Sequence, residues 1–323
     1  MTQTDPRLSI VADIGGTNTR VAIAHGRVVQ TETIKRYANA DYPGLETVLR
    51  QYMTEIGCAD PDAACIAVAG PVRDGRASMT NLDWAMDKTT LQRATGAKQV
   101  AILNDLQAQG HAIGHISDDM VKTVVKGPEA NEHAAKLMIG VGTGFNCAPV
   151  YETEAGRLVT PSEAGHANLP IRNEAELRLC NYVSTAHGFP AVEDVLSGRG
   201  LSHVYAWLSE EAGDPTELSA ADIMQRCADK SDARAIEAAK MFARVFGTVT
   251  GNLSLIHLPF GGVYLTGGVA RAFGDYLIEF GFIDAMRDKG RFAGFMSNFA
   301  VHIVEDDYAA LTGCAAHLEA HCA

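Results

Sequence analysis

Between Leu8 and Ala24 the chain reads L-S-I-V-A-D-I-G-G-T-N-T-R-V-A-I-A, two apolar runs separated by an acidic residue and a diglycine turn. Val, Ile and Ala crowd both sides of the turn with little charge, which predicts two short strands joined as a hairpin. Glycine at 15 and 16 permits a positive φ and lets a ligand approach the backbone, so several N–H groups can surround an anion such as a phosphate. Thr17 and Asn18 add polar side chains. Taken alone, a Gly-Gly turn is also an ordinary hairpin. Asp13 argues for more. A carboxylate at the end of an apolar strand is costly unless something binds it, and Mg²⁺ held through water is the usual partner beside phosphates.

Two later turns repeat the theme. Leu137 to Tyr151 reads L-M-I-G-V-G-T-G-F-N-C-A-P-V-Y, again strand, turn, strand, and Val263 to Ala270 reads V-Y-L-T-G-G-V-A, a strand whose diglycine opens a helix. Three glycine turns, each after an apolar strand, are a sharper signal than one. No G-x-x-x-x-G-K-[ST] occurs, and the first turn runs into a strand where a Rossmann turn would run into a helix. A phosphate site here is therefore built from hairpins.

The D-x-G-G-T-N, G-x-G-T-G and T-G-G segments resemble the phosphate and nucleotide segments of the actin and hexokinase-type ATPase superfamily, and more narrowly of the bacterial glucokinases. Further matching segments are Ile102-Leu103-Asn104-Asp105-Leu106, Glu163-Ala164-Gly165-His166, Glu193-Asp194-Val195-Leu196-Ser197-Gly198 and Asp288-Lys289-Gly290-Arg291-Phe292. The resemblance spans nearly the whole chain. It implies an α/β, two-lobed actin-like ATPase (ribonuclease H-like) fold, each lobe a mixed sheet flanked by helices, with the active site in the cleft between lobes. It implies ATP-dependent phosphorylation of glucose to glucose 6-phosphate. Ala12, Asp13, Ile14, Gly15, Gly16, Thr17 and Asn18 would then hold phosphates with Gly142, Thr143 and Gly144, while Thr266, Gly267 and Gly268 hold the nucleoside. Asp13 would carry Mg²⁺ through water. Asn81, Asn104, Asp105, Glu163, His166 and Glu193 would hold the sugar, with Asp105 as the catalytic base, and the chain would form a homodimer. Ala12 and Ala164 stand where the family often has glycine, which narrows the phosphate approach and the sugar loop without removing a functional group.

Several of these residues carry a second reading. Asn and Asp are preferred helix N-caps, so either Asn104 or Asp105 can simply start a helix. Phosphoryl transfer to a sugar hydroxyl also needs a carboxylate beside the attacking oxygen. Glu163 and His166, in a loop bracketed by Pro161 and Pro170, suit a salt bridge, a metal pair or hydrogen bonds to sugar hydroxyls. Glu193 at a helix start can complement the dipole. Trp84, in M-T-N-L-D-W, suits packing or a sugar contact.

At 323 residues the chain is comfortable for two domains, expected at 1–108 plus 306–323 and at 109–305, and its 47% hydrophobic fraction fills sizeable cores. A net charge of −12 and no Lys/Arg cluster exclude a nucleic-acid surface. No apolar run approaches the roughly 18 residues of a membrane span, and the N-terminal stretch lacks signal-peptide features, so no membrane partner and a cytoplasmic location are expected. Seven scattered cysteines without C-x-x-C pairs read as reduced thiols, and the clustered-cysteine zinc site of the related ROK sugar kinases and repressors is absent from the sequence. A kinase for mannose, fructose or an N-acetylhexosamine is the nearest alternative. A sugar-sensing regulator without turnover is the other, and it would need a helix-turn-helix, whereas the first strand is expected at about Leu8.

Strands are expected near 8–14, 19–25, 27–35, 65–69, 99–103, 262–266 and 300–304. Helices are expected at 43–53, 87–94, 105–115, 173–187, 200–211, 219–229, 232–257, 268–279 and 307–320, with 73–83 a polar loop containing a short strand at 77–80.

Overall fold

The computed structural model describes residues 7–79, 82–185 and 188–321. Asn81 lies outside them. The chain forms two compact units, Met1–Asp118 with Thr153–Pro161 and Asp306–Ala323, and Asp119–Glu152 with Ser162–Glu305.

In the first unit the apolar runs around the diglycine become β1 (Leu8–Ile14) and β2 (Asn18–His25), an antiparallel hairpin. The expected strand at 27–35 is interrupted into β3 (Val28–Val29) and β4 (Lys35–Ala38), because Thr33 turns the chain between them. Its hydroxyl donates to the Gln30 carbonyl at 2.6 Å and accepts the Ile23 N–H at 3.0 Å. Helix α1 (Leu45–Ile56) starts after Gly44, which leaves Pro43 just outside it, and ends on Gly57 at a left-handed φ of 71°. Strand β5 (Ala63–Val68) is buried along its whole length. The stretch expected as a polar loop with one short strand at 77–80 is a small sheet, β6 (Val72–Arg73), β7 (Arg76–Met79), which is that strand, and β8 (Leu82–Asp87), whose cross-strand pairing outweighs its many charges. Asp87 accepts the Thr90 N–H at 2.7 Å and caps α2 (Lys88–Thr95). Strand β9 (Gln99–Asn104) then runs directly into α3 (Asp105–Ala112).

The main sheet of this unit has the order β3-β2-β1-β5-β9, with β4 on β2. Its alternate residues serve two cores. Ile10, Ala12, Ile14, Ile66 and Val68 face α1 and α2, while Val11, Ala63, Cys65 and Ala67 face Leu311, Cys314 and Leu318 of the last helix, α10 (Ala309–His321).

The second unit opens with β10 (Val121–Val125), β11 (Lys136–Val141) and β12 (Phe145–Thr153); the short β13 (Gly156–Val159) is grouped with the first unit. Helices α4 (Glu174–Ser184), α5 (Gly198–Glu211), α6 (Ala220–Ala228) and α7 (Ala233–His257) follow. Asp232 caps α7 by accepting the Arg234 N–H at 2.9 Å. Phe242, Val245, Phe246 and Val249 are buried as the periodicity predicts, but Ile256 at the end of the stripe is 70% exposed. Strand β14 (Val263–Thr266) leads through the diglycine into α8 (Gly268–Ala272), which is shorter than expected: the chain turns after it and resumes helix at α9 (Phe282–Arg287). A methyl group on Gly247 or Gly251 of α7 would meet the carbonyls of Phe282 or Met286 at 2.1 and 2.4 Å, so both glycines are needed for α9 to cross α7. Strand β15 (Val301–Val304) completes a sheet in which β10, β15, β14, β11 and β12 are successive neighbours, and α10 returns to the first unit. Among the described residues no helix is long and apolar enough to cross a membrane.

Candidate active site

In the first unit the parallel register fixes the geometry. Ile14 pairs with Val68 and Val68 with Asn104, so Asp13 and Asp105 come out at the same end of the sheet, two strands apart, about 10 Å across the ladder. The first turn is closed by the Gly15 N–H, which donates to the Asn18 carbonyl at 2.9 Å. Neither Gly15 nor Gly16 takes a positive φ. The glycines here give close approach, not a left-handed turn. Asp13 is not the orphan its sequence context suggests: Arg20 faces it across the hairpin and its Nη1 lies 3.2 Å from Asp13 Oδ2. Burial still raises the Asp13 pKa, with Arg20 opposing it.

Between the two helix-cap readings the structure chooses Asn104. Its Oδ1 accepts the Leu106 N–H at 3.0 Å, its Nδ2 donates to the Gly70 carbonyl at 3.1 Å, and Gln107 Oε1 accepts the Asn104 N–H at 3.1 Å in a capping box. The same amide also faces Asp105 and favours its charged form. Asp105 is the first helical residue, one oxygen accepting the Leu106 N–H at 2.9 Å. Burial, and secondarily the charge of Asp13, push its pKa up to about 6, against the backbone N–H groups and Asn104 that favour its charged form. A carboxylate titrating there is ionised near neutrality yet basic enough to take a proton.

In the second unit, β11 and β14 are parallel partners with Gly140 opposite Thr266, so the turns Gly142–Thr143–Gly144 and Thr266–Gly267–Gly268 leave the sheet side by side. Gly267 takes φ 97°, and a methyl group there would lie 2.3 Å from the Val141 carbonyl oxygen, so only glycine fits. Gly142 receives the Gly198 N–H at 2.8 Å, which ties the turn to the start of α5. Glu193 is not at the start of a long helix: it lies in the short 3₁₀ turn Val192–Asp194, and Ser197 caps α5. Its Oε2 accepts the Phe145 N–H at 2.9 Å and sits where a side chain on Gly144 would be. Glu163 and His166 flank the 3₁₀ turn Ala164–His166 and are exposed, and among the described residues no ion pair joins them. A methyl group on Gly165 would lie 2.2 Å from the Phe145 carbonyl oxygen, so this loop rests directly on the start of β12.

The model of the family described as Glucokinase matches residues 10–321. The chain belongs to the glucokinase family. The glucokinase of Saccharophagus degradans is 32% identical over 317 residues, 96% of this chain and 98% of that one. Among solved structures, the glucokinase of an Antarctic psychrotroph superposes with a TM-score of 0.86 at 28% identity, covering 98% and 99% of the two chains. The glucokinase of Balamuthia mandrillaris, solved in complex with glucose, superposes at 0.80 over 98% of this chain and 94% of its own; at 21% identity it speaks for the fold alone. The actin-like ATPase fold of this glucokinase-family chain is the one the glycine turns implied.

Trp84 lies on β8, half-buried against the core of the first unit. Two residues of this family member escaped the sequence reading. Asn39 is buried behind the first turn: its Nδ2 donates to the Gly15 carbonyl at 2.8 Å, its N–H to the Thr17 carbonyl at 2.9 Å, and its Oδ1 accepts the Thr19 hydroxyl at 2.8 Å. Asn146, two residues beyond Gly144, holds the loop of Glu163 and His166. An isolated asparagine carries no periodic signal, and only an unexplained polar residue beside a glycine turn hints at either.

Proposed function

We infer that this chain transfers the γ-phosphoryl group of ATP to glucose, giving glucose 6-phosphate. The observation that carries the reading is Asp105, a buried carboxylate at the junction of β9 and α3 with a pKa near 6, in a chain of the glucokinase family. Asp105 would orient the sugar hydroxyl and take its proton as the new O–P bond forms. Asn104 would place Asp105 through the capping box and its amide, and would lie beside a neighbouring sugar hydroxyl. Glu163, His166 and Glu193 would pair with further hydroxyls, and a pocket of charged and imidazole groups rejects sugars that leave them unpaired. Residues 12–18 and 142–144 would bind phosphates and residues 266–268 the nucleoside.

The donor set suits Mg²⁺. Among the described residues no three His, Cys, Asp or Glu side chains are grouped to cage an ion, and a single carboxylate at the first turn matches an ion held chiefly by water and substrate phosphates. Asp13 would hold it through water, and when bound it would neutralise charge on the phosphate oxygens. We assign the active protein to the cytoplasm as a homodimer.

The test is a coupled assay across sugars and phosphoryl donors with Mg²⁺ present. Glucose with ATP should give the highest kcat/KM. Fructose, mannose or N-acetylglucosamine ahead of glucose would overturn the substrate and leave the kinase class.

A further inference from the structure

Gly144, Phe145 and Asn146 are consecutive, and the last two grip different pieces of the second unit. The Phe145 N–H is held by Glu193 at 2.9 Å. Asn146 Oδ1 accepts the N–H groups of Cys147 at 2.8 Å and Ala164 at 3.0 Å and the Ser162 hydroxyl at 2.9 Å, while its Nδ2 donates to the Ser162 carbonyl. The Ser162 hydroxyl is shared with the Cys147 carbonyl at 2.7 Å. Asn146 is itself pinned opposite Gly140 in the β11–β12 hairpin. One side chain thus fastens both sides of Glu163 to the strand that leaves the second glycine turn.

Resting on the function proposed above, we propose that Asn146 is a positioning residue for the sugar: it sets the loop bearing Glu163 and His166 relative to Gly142–Gly144. The far end of the loop is tied elsewhere, the Val192 N–H donating to the Ala167 carbonyl at 2.9 Å, so Asn146 holds the end that carries Glu163. Glu163 and His166 are exposed, and the backbone N–H groups of His166 and Ala167 bond only locally, to the Glu163 and Ala164 carbonyls. Without the amide the Glu163 end of the loop loses its tether while the Ala167 end stays held, so sugar affinity falls and the turn Gly142–Gly144, held by Gly198, does not move.

The experiment measures glucose KM, ATP KM and kcat for the wild-type chain and Asn146→Ala. Glucose KM should rise about tenfold, the equivalent of one or two net hydrogen bonds, with ATP KM and kcat changing less than about threefold. An unchanged glucose KM, or glucose and ATP KM rising together, overturns the inference. Should Asn146→Ala fail to fold, Ser162→Ala, which removes one donor only, should raise glucose KM about threefold with ATP KM unchanged, and no rise overturns it equally. A wild-type chain without glucose turnover would instead overturn the proposed function and this inference with it.

Discussion

Replacing Asp105 by Asn removes the proton acceptor while keeping an oxygen to accept the Leu106 N–H. The structure sets two magnitudes. Burial and then Asp13 push the Asp105 pKa from 3.8 up to about 6, which is worth about 3 kcal/mol between the two protonation states. A raised carboxylate pKa means the folded state holds the proton that the unfolded chain has already lost, so ionised Asp105 costs stability above about pH 6 and nothing below about pH 4. Asp105→Asn should therefore be more stable than wild type at pH 7.5 by up to about 3 kcal/mol, with the difference closing towards pH 4. Turnover should fall by roughly 10²–10⁴, and glucose affinity far less. Urea denaturation at pH 7.5 and 4.5, kcat, and glucose titration by calorimetry on one preparation decide it. A variant that keeps a tenth of wild-type turnover would remove Asp105 from the chemistry, and a stability gain that does not depend on pH would refute the electrostatic argument.

Asn39→Ala strips the partners of the Gly15 carbonyl and the Thr19 hydroxyl, so ATP KM should rise and stability fall by about 2 kcal/mol, read by steady-state kinetics and urea denaturation; an unchanged ATP KM would detach Asn39 from the phosphate turn. His111 is held neutral, its pKa lowered to about 3 by burial and then by the charges of His317, His321, Arg157 and His115. The unfolded chain binds that proton first, so the stability is present in full above about pH 6.5 and lost below it, about 2 kcal/mol by pH 5. His111→Leu should flatten this acid slope only partly, because His317, lowered to about 4, still contributes to it, and an unaltered slope between pH 7.5 and 5 would count against the account.

What the sequence made legible were features with a period or a fixed turn chemistry. Strands β1, β2, β5, β9 and β14 announce themselves as apolar runs cut by glycine or by Asn104, and the hairpin turns carry the family resemblance with them. Pairing that depends on a partner was not legible. Arg36, Arg73 and Arg76 look like loop residues until their strands are hydrogen-bonded, and Asp13 looks orphaned until the hairpin register brings Arg20 opposite. The excess length given to α8 came from Phe273, Leu277 and Phe280, which recur at helical spacing but are buried in turns and serve the core without helical continuity. For Glu163 and His166 the sequence supplied the residue types, but their exposure and the tether through Asn146 arise only in three dimensions.

The division of the chain has a consequence for its synthesis. The back of the sheet that carries Asp13 and Asp105 is covered by Leu311, Cys314 and Leu318, and Gly313 lies so close to α3 that an added methyl group would meet the Ala108 carbonyl oxygen at 1.6 Å. As the chain leaves the ribosome, that coat arrives only after the whole second unit has been made, roughly 10–40 s after Asn104 ends the sheet's last strand at ordinary elongation rates. The second unit can close in the meantime, while Val11, Cys65 and Ala67 stay bare. The docking of one late helix is then the step that completes the sheet carrying both carboxylates, and a nascent chain stalled before it would display that uncovered apolar face to chaperones.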